Sequence, residues 1–237
     1  MPRSSVHARN SEVRRSGARR SDRGDSRRER LVIATGNPGK LREFRNLLAD
    51  LPYEVVGQSE LGIATPEETG LSFLENALIK ARHAARAADA AAIADDSGLE
   101  VDALGGAPGL FSARYSGADA TDAANNAKLL AALATTPAQA RTARYRCVLT
   151  FVDRDSGAAP LIAEGVWEGR IVDSARGSAG FGYDPYFWLP ELEMTAAELS
   201  PAEKNRRSHR GTAMRALLEQ LLAREELARA QPVVPGP

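Results

Sequence analysis

Cysteine is almost absent from this sequence. Cys147 is the only one, so no intrachain disulfide can form and no cluster of thiolates can hold zinc. Long apolar runs are missing too. No stretch approaches the roughly 18 consecutive apolar residues of a membrane-spanning helix, which excludes one, and no apolar run resembles the core of a secretory signal. The sequence holds no GxSxG, HExxH or CxxC pattern, so serine-hydrolase, zincin and thioredoxin-like chemistries have nothing to rest on. Net charge is also missing, but only on average. Residues 1–30 carry ten arginines against four acidic residues, while the rest carries 21 basic against 27 acidic. An acidic body argues against a stable nucleic-acid partner, because phosphate-backbone binders need basic surface. A small anionic ligand in a local pocket stays compatible with it. A reducing cytoplasm fits these absences.

What is present begins abruptly. Residues 1–30 have almost no apolar content and read as a disordered basic extension. Hydrophobic residues make up 43% of the whole chain, and from Leu31 the pattern becomes that of a folded α/β domain, expected over 31–227, with a flexible tail at 228–237. LVIAT (31–35) predicts a buried strand. Leu41, Phe44, Leu47 and Leu48 then recur at helical spacing, with Arg42, Glu43 and Arg45 facing elsewhere. YEVVG predicts a second strand, and a long helix is expected over 72–88. AAIADDSG predicts a short strand that ends in Asp95 and Asp96. A Gly- and Ala-rich loop (102–122) precedes a helix at about 122–133. RYRCVLTFV and PLIAEGVWEGRIV should pair as a hairpin around an Asp-Ser-Gly turn. A final helix is expected from His209. No internal repeat or linker divides the chain, so one elongated domain with two lobes is expected.

Several constellations carry chemistry. TGNPGK (Thr35, Gly36, Asn37, Pro38, Gly39, Lys40) lies between a strand and a helix, where backbone N–H groups and a lysine can face an anion. Pro38 suits the first helical position, where its missing N–H costs nothing. The spacing is not that of a Walker A loop, and an ordinary strand-to-helix turn explains it as well. Asp95 and Asp96 close an apolar strand, and ligand crevices of open α/β sheets lie beyond strand C-termini. Adjacent carboxylates there suit a hard cation such as Mg²⁺, with one of the two facing it; a turn or capping pair is the plainer alternative. Glu67 and Glu68 precede a helix, whose dipole explains them unaided. Phe181, Gly182, Tyr183 and Asp184 join aromatic faces, a flexible turn and a carboxylate, suited to a base and its sugar or to simple packing. Lys204, Arg206, Arg207, His209 and Arg210 gather at what reads as a helix start. Cations there oppose the helix dipole, which hints at an anionic ligand. Asn76 and Lys80 share a helix face. Cys147 and His83 read as structural.

The ordered motifs TGNPGK, EETG, SFLENALIKA, IADDSGL, GGAPGLFSARYSG, FGYDP and SHRG resemble, over about 31–224, the inosine triphosphate pyrophosphatase or HAM1-like family, which removes deaminated purines from the nucleotide pool. The resemblance implies an α/β fold with a central mixed sheet flanked by helices, two lobes around a nucleotide cleft, and a cytoplasmic homodimer. It implies hydrolysis of dITP, ITP and XTP to the monophosphate and pyrophosphate with Mg²⁺. Residue by residue, Asp96 matches the catalytic carboxylate and metal ligand, with Glu68 as second metal ligand and Ser97 beside the substrate. Thr35 to Lys40 match the triphosphate loop, with Lys80 supporting it. Phe181, Gly182, Tyr183 and Asp184 match the base-binding turn, and Lys204, His209 and Arg210 match further nucleotide contacts. Rival readings are a pyrophosphatase for other modified nucleotides, a phosphotransferase, and a nucleotide- or RNA-binding module without turnover. The basic extension and Pro38 lie outside the shared pattern.

Overall fold

Three apolar segments with β-branched or small residues build the first half of the sheet. They are β1 (Glu29–Ala34), β2 (Tyr53–Gly57) and β3 (Ala91–Val101), and β1 pairs in parallel with both others. The long hairpin β4 (Thr142–Val152) and β5 (Leu161–Ile171) continues it in antiparallel register, followed by β6 (Phe187–Leu189) and β7 (Met194–Thr195). The result is a seven-stranded mixed sheet in the order β2-β1-β3-β4-β5-β6-β7. This computed structural model describes residues 28–154 and 157–230. The Asp-Ser part of the hairpin turn, nearly all of the basic extension and residues 231–237 lie outside those residues. None of the helices among them is long and apolar enough to cross a membrane.

Helices α1 (Pro38–Leu47) and α5 (His209–Ala230) cover one face, where Ile33, Phe44, Ile93, Cys147, Leu149 and Leu217 pack together. Helix α2 (Phe73–Ala88) covers the other face. Its contacts are small on both sides, with Ala81 and Ala84 against Ala92 and Ala94, so the helix lies close to the sheet and its long side chains come within reach of β3. A further cluster, Leu99, Leu129, Tyr145, Trp167 and Phe187 among it, lies under α3 (Asp122–Ala132) at the far end of the long strands. The expected α/β architecture with a mixed sheet is therefore present.

Four elements differ from the sequence reading. β1 starts at Glu29, because Glu29 and Arg30 pair with Tyr53 and Glu54 of β2, a backbone match that hydropathy cannot register. β3 does not end at the aspartates. It pairs with β1 only to Ala94 but with β4 to Val101, so Asp95 and Asp96 sit mid-strand, where the sheet loses β1. The run Pro201–Arg207 is its own short helix, α4, capped by Ser200. Lys204, Arg206 and Arg207 thus occupy a helix C-terminal turn, where the dipole favours cations, and Arg206 and Arg207 are paired with Glu203. The conflict that hinted at an anion is removed for these three residues and stays only for Arg210, in the first turn of α5. Finally, α5 continues to Ala230, past the boundary expected at 227, through residues that favour helix.

Candidate active site

Alternation along β3 sends its two aspartates to opposite faces of the sheet, and each organises a separate group of charges. Asp95 is 2% exposed. It pairs with Lys40 from α1 and accepts from Arg210 Nε of α5 at 2.7 Å and from Ser97 Oγ at 2.7 Å. Arg210 also pairs with Glu43 and donates through Nη2 to Ser97 Oγ at 3.1 Å. Glu43 in turn accepts from Lys204 at 2.8 Å, and Lys204 donates to Asp184 at 2.6 Å. Three cations and three carboxylates thus interlock. Burial alone would raise the Asp95 carboxyl, but the Arg210 guanidinium and the Lys40 ammonium outweigh it and hold it well below the ordinary carboxylate range. Burial acts on Glu43 in the same sense, and Arg210 and Lys204 bring it below its ordinary value.

Asp96 faces α2. Lys80 of that helix, 5% exposed, donates to Asp96 at 2.6 Å and to Glu68 at 2.9 Å. Burial would strip the Lys80 charge, yet the two carboxylates reverse that and keep it an ammonium. Burial pushes Asp96 above the ordinary carboxylate range despite Lys80, which makes it a stronger base than an exposed aspartate. Both carboxylates meet on the Lys80 ammonium, and a hard divalent cation needs only one or two protein carboxylates when phosphate and water supply the remaining oxygens. Among the described residues no group of three or more His, Cys, Asp or Glu side chains is arranged to hold a metal, so any ion would depend on substrate oxygens.

On the Asp95 side a cavity of about 140 Å³ opens, lined by Asn37, Lys40, Ser97, Phe181, Gly182, Tyr183, Asp184, Lys204, His209 and Arg210. Of the candidate residues, Thr35, Gly36, Pro38 and Gly39 form the adjoining turn without lining it, and Asp96, Glu68 and Lys80 make up the group across the strand. Pro38 occupies the first helical position, as expected. The backbone N–H groups of Asn37, Gly39 and Lys40, however, are already engaged. Asn37 caps α1, its Oδ1 accepting from Gly39 N at 2.8 Å and Lys40 N at 3.1 Å, while its own N–H bonds Thr35 Oγ1. An Asn at the N-cap is built to do this, so anion attraction on this side falls to the Lys40 side chain and the Asn37 amide nitrogen.

The cavity's aromatic walls are Phe181 and a Tyr145–His209 stack with ring centroids 4.7 Å apart. Lys204 lies over the Phe181 ring at 4.8 Å. Tyr183 is turned inward, its hydroxyl bonded to Ser112 O at 2.8 Å. Asp184 accepts from Phe181 N and Tyr145 Oη as well as Lys204. It holds the turn's shape and has no free edge for a sugar. His209 is buried, which with the nearby Arg210 charge depresses its pKa well below the ordinary value and keeps it neutral; among the described residues its Nδ1 has no hydrogen-bond partner. Each Arg210 nitrogen already has a protein partner. Cys147 donates to Asp95 at 3.3 Å, and burial followed by the Asp95 charge raises its thiol well above the ordinary value, which agrees with a structural cysteine.

Sequence reasoning missed Glu43, Tyr145, Asp122 and Asn125. Glu43 stands three residues after Lys40 on α1, a spacing that places both on one side. Tyr145 alternates in phase with the inward Cys147 and Leu149 of β4. Asp122 and Asn125 enter only through the tertiary contact of α3 with the cavity.

Comparison with known proteins agrees with this geometry. A family model described as the Ham1 family matches residues 31–220. A dITP/XTP pyrophosphatase of Thioalkalivibrio sulfidiphilus is 56% identical over 195 residues, covering 82% of this chain and 100% of the relative. One of Yersinia pseudotuberculosis is 54% identical over 193 residues, covering 81% and 98%. Among solved structures, a HAM1 protein from Coxiella burnetii superposes with a TM-score of 0.74 at 47% identity, covering 82% of this chain and 99% of that one. The Staphylococcus aureus Ham1 protein gives 0.72 at 41% identity, covering 83% and 100%. The chain belongs to the Ham1 family.

Proposed function

We propose that this chain hydrolyses the deaminated purine triphosphates dITP, ITP and XTP to the monophosphate and pyrophosphate. The observation that carries the reading is the placement of two lysines and two aspartates across one strand at the sheet's break. Lys40 faces the aromatic cavity and Lys80 lies behind it with Asp96 and Glu68. A base held at Phe181 and the Tyr145–His209 stack would leave its triphosphate to run past Lys40 towards Lys80. Phosphoryl transfer needs charge neutralisation and an aligned nucleophile, and this arrangement offers both. Asp96, kept basic by burial, positions and deprotonates the water that attacks the α-phosphorus. Lys40 and Lys80 stabilise charge on the departing pyrophosphate. Asp96 and Glu68 would hold Mg²⁺, which when bound neutralises triphosphate oxygens and acidifies water.

Base choice follows from what is left unpaired. The reading assigns the base edge to His209, which lines the cavity and whose buried Nδ1 has no partner among the described residues, whereas the Arg210 nitrogens are engaged with Asp95, Glu43 and Ser97. Hypoxanthine and xanthine present O6 where adenine presents an amino group. A donor left facing that amino group costs about 1–3 kcal/mol. The proposal extends to a cytoplasmic homodimer; the exposed Leu71, Phe111 and Val166 are apolar surface that a second copy would cover. The direct test is pyrophosphate release from dITP, XTP, dATP and dGTP with Mg²⁺ and with chelator. The reading expects turnover of the first two, lost on chelation. Equal turnover of dATP would remove the base selectivity from it.

A further inference from the structure

Helix α3 belongs to no motif singled out in the sequence, yet side chains of its first two turns hold two of the segments that line the cavity. Gly182 has a φ of 64°, a left-handed conformation that favours glycine, and its two backbone groups are both gripped by side chains of α3. Its N–H donates to Asp122 Oδ2 at 2.7 Å, and its carbonyl accepts from Asn126 Nδ2 at 2.9 Å. Between them, Asn125 donates to Ala113 O at 3.2 Å and accepts from Ser116 N at 2.8 Å. Ala113 and Gly182 line the cavity from different segments. Helix capping does not explain Asp122, because Thr121 caps α3 with its hydroxyl on Ala124 N, leaving the carboxylate for the turn.

We infer that Asp122 and Asn126 are positioning residues that fix the Phe181–Gly182 wall and set how tightly the base is bound, without contributing to the phosphate chemistry. This rests on the proposed function, since it assigns the wall to the base. The Phe181 ring is close-packed from behind, where a Cβ on Gly39 would come within 2.6 Å of it. Its position therefore depends on how the adjoining turn is held. The α3 helix is anchored in turn by Leu129 and Leu133, in the same cluster that takes up Tyr183 of the clamped turn.

The test compares D122A, N126A and T121A with the parent in steady-state kinetics on dITP, inhibition by inorganic tripolyphosphate, and amide exchange of the segment 181–184. Losing a hydrogen bond that shapes the wall predicts a KM about tenfold higher for D122A and N126A, with kcat and the tripolyphosphate inhibition constant unchanged and amide exchange faster. T121A weakens the helix alone, so it should lower Tm and leave KM as in the parent. If T121A raises KM as much as D122A, or if D122A and N126A leave KM and exchange at parental values, the assignment is wrong. Should D122A not fold, N126A carries the same comparison. A parent that hydrolyses no nucleotide overturns the functional reading instead, and the exchange of Gly182 still decides whether the clamp exists.

Discussion

A strand turns consecutive side chains to opposite faces, and at Asp95 and Asp96 that alternation divides labour between neighbours. Asp95 is buried and ion-paired to Lys40 and Arg210, so it shapes the cavity. Asp96 keeps a small exposure, and burial makes its carboxyl more basic. A D96N variant retains the shape and leaves Lys80 bonded to Glu68. Its kcat should fall by about 10²- to 10⁴-fold, the usual contribution of a general base, with little change in Tm. Turnover near the parental value would remove Asp96 from the chemistry. At this scale the sequence displayed most of the candidate site. The acidic pair, both lysines and the aromatic turn were legible as motifs because each is contiguous or one helical turn apart. Glu43 and Tyr145 were not, because what makes them part of the site is a partner more than 30 residues away.

Elements decide whether those residues meet. α5 starts at His209 only because β5 lets it come close. A Cβ on Gly165 would lie 2.0 Å from His209 O and 2.8 Å from Ala213 N. G165A should destabilise the fold by about 1–3 kcal/mol, as overpacking does, measured by chemical denaturation, and should displace His209 from its stack on Tyr145. An unchanged unfolding midpoint would contradict the close approach. Helices and strands with strong periodicity were readable, α2 and the β4–β5 hairpin above all. β6 and β7 were not, since segments this short carry no period. The extension of β3 beyond Gly98 was also hidden, because it depends on β4 as a partner. α4 was hidden because its cations were read as starting the next helix.

For the whole molecule, pH links the site to stability. The folded His209 titrates well below its ordinary value of 6.5, through burial first and Arg210 second. The unfolded chain therefore takes up the proton first. Stability from this group is complete above about pH 6.5 and falls as the pH drops below it, by at most about 1.4 kcal/mol per pH unit. Unfolding free energies of the parent between pH 7 and 5 should show this slope, and H209N should lose it; equal slopes would mean that His209 is protonated in the fold. At this scale the α/β class and the mixed sheet followed from motif order and family resemblance. The break in the sheet beside the candidate site was not visible, because strand pairing over long separations leaves no local signature.

The central claim is that water attacks the α-phosphorus of a deaminated purine triphosphate, and hydrolysis of dITP in ¹⁸O-labelled water tests it most directly. The account predicts the label in dIMP, with unlabelled pyrophosphate released beside it. Label in pyrophosphate or in free phosphate would mean that a different phosphorus is attacked and that the roles given to Asp96, Lys40 and Lys80 are wrong.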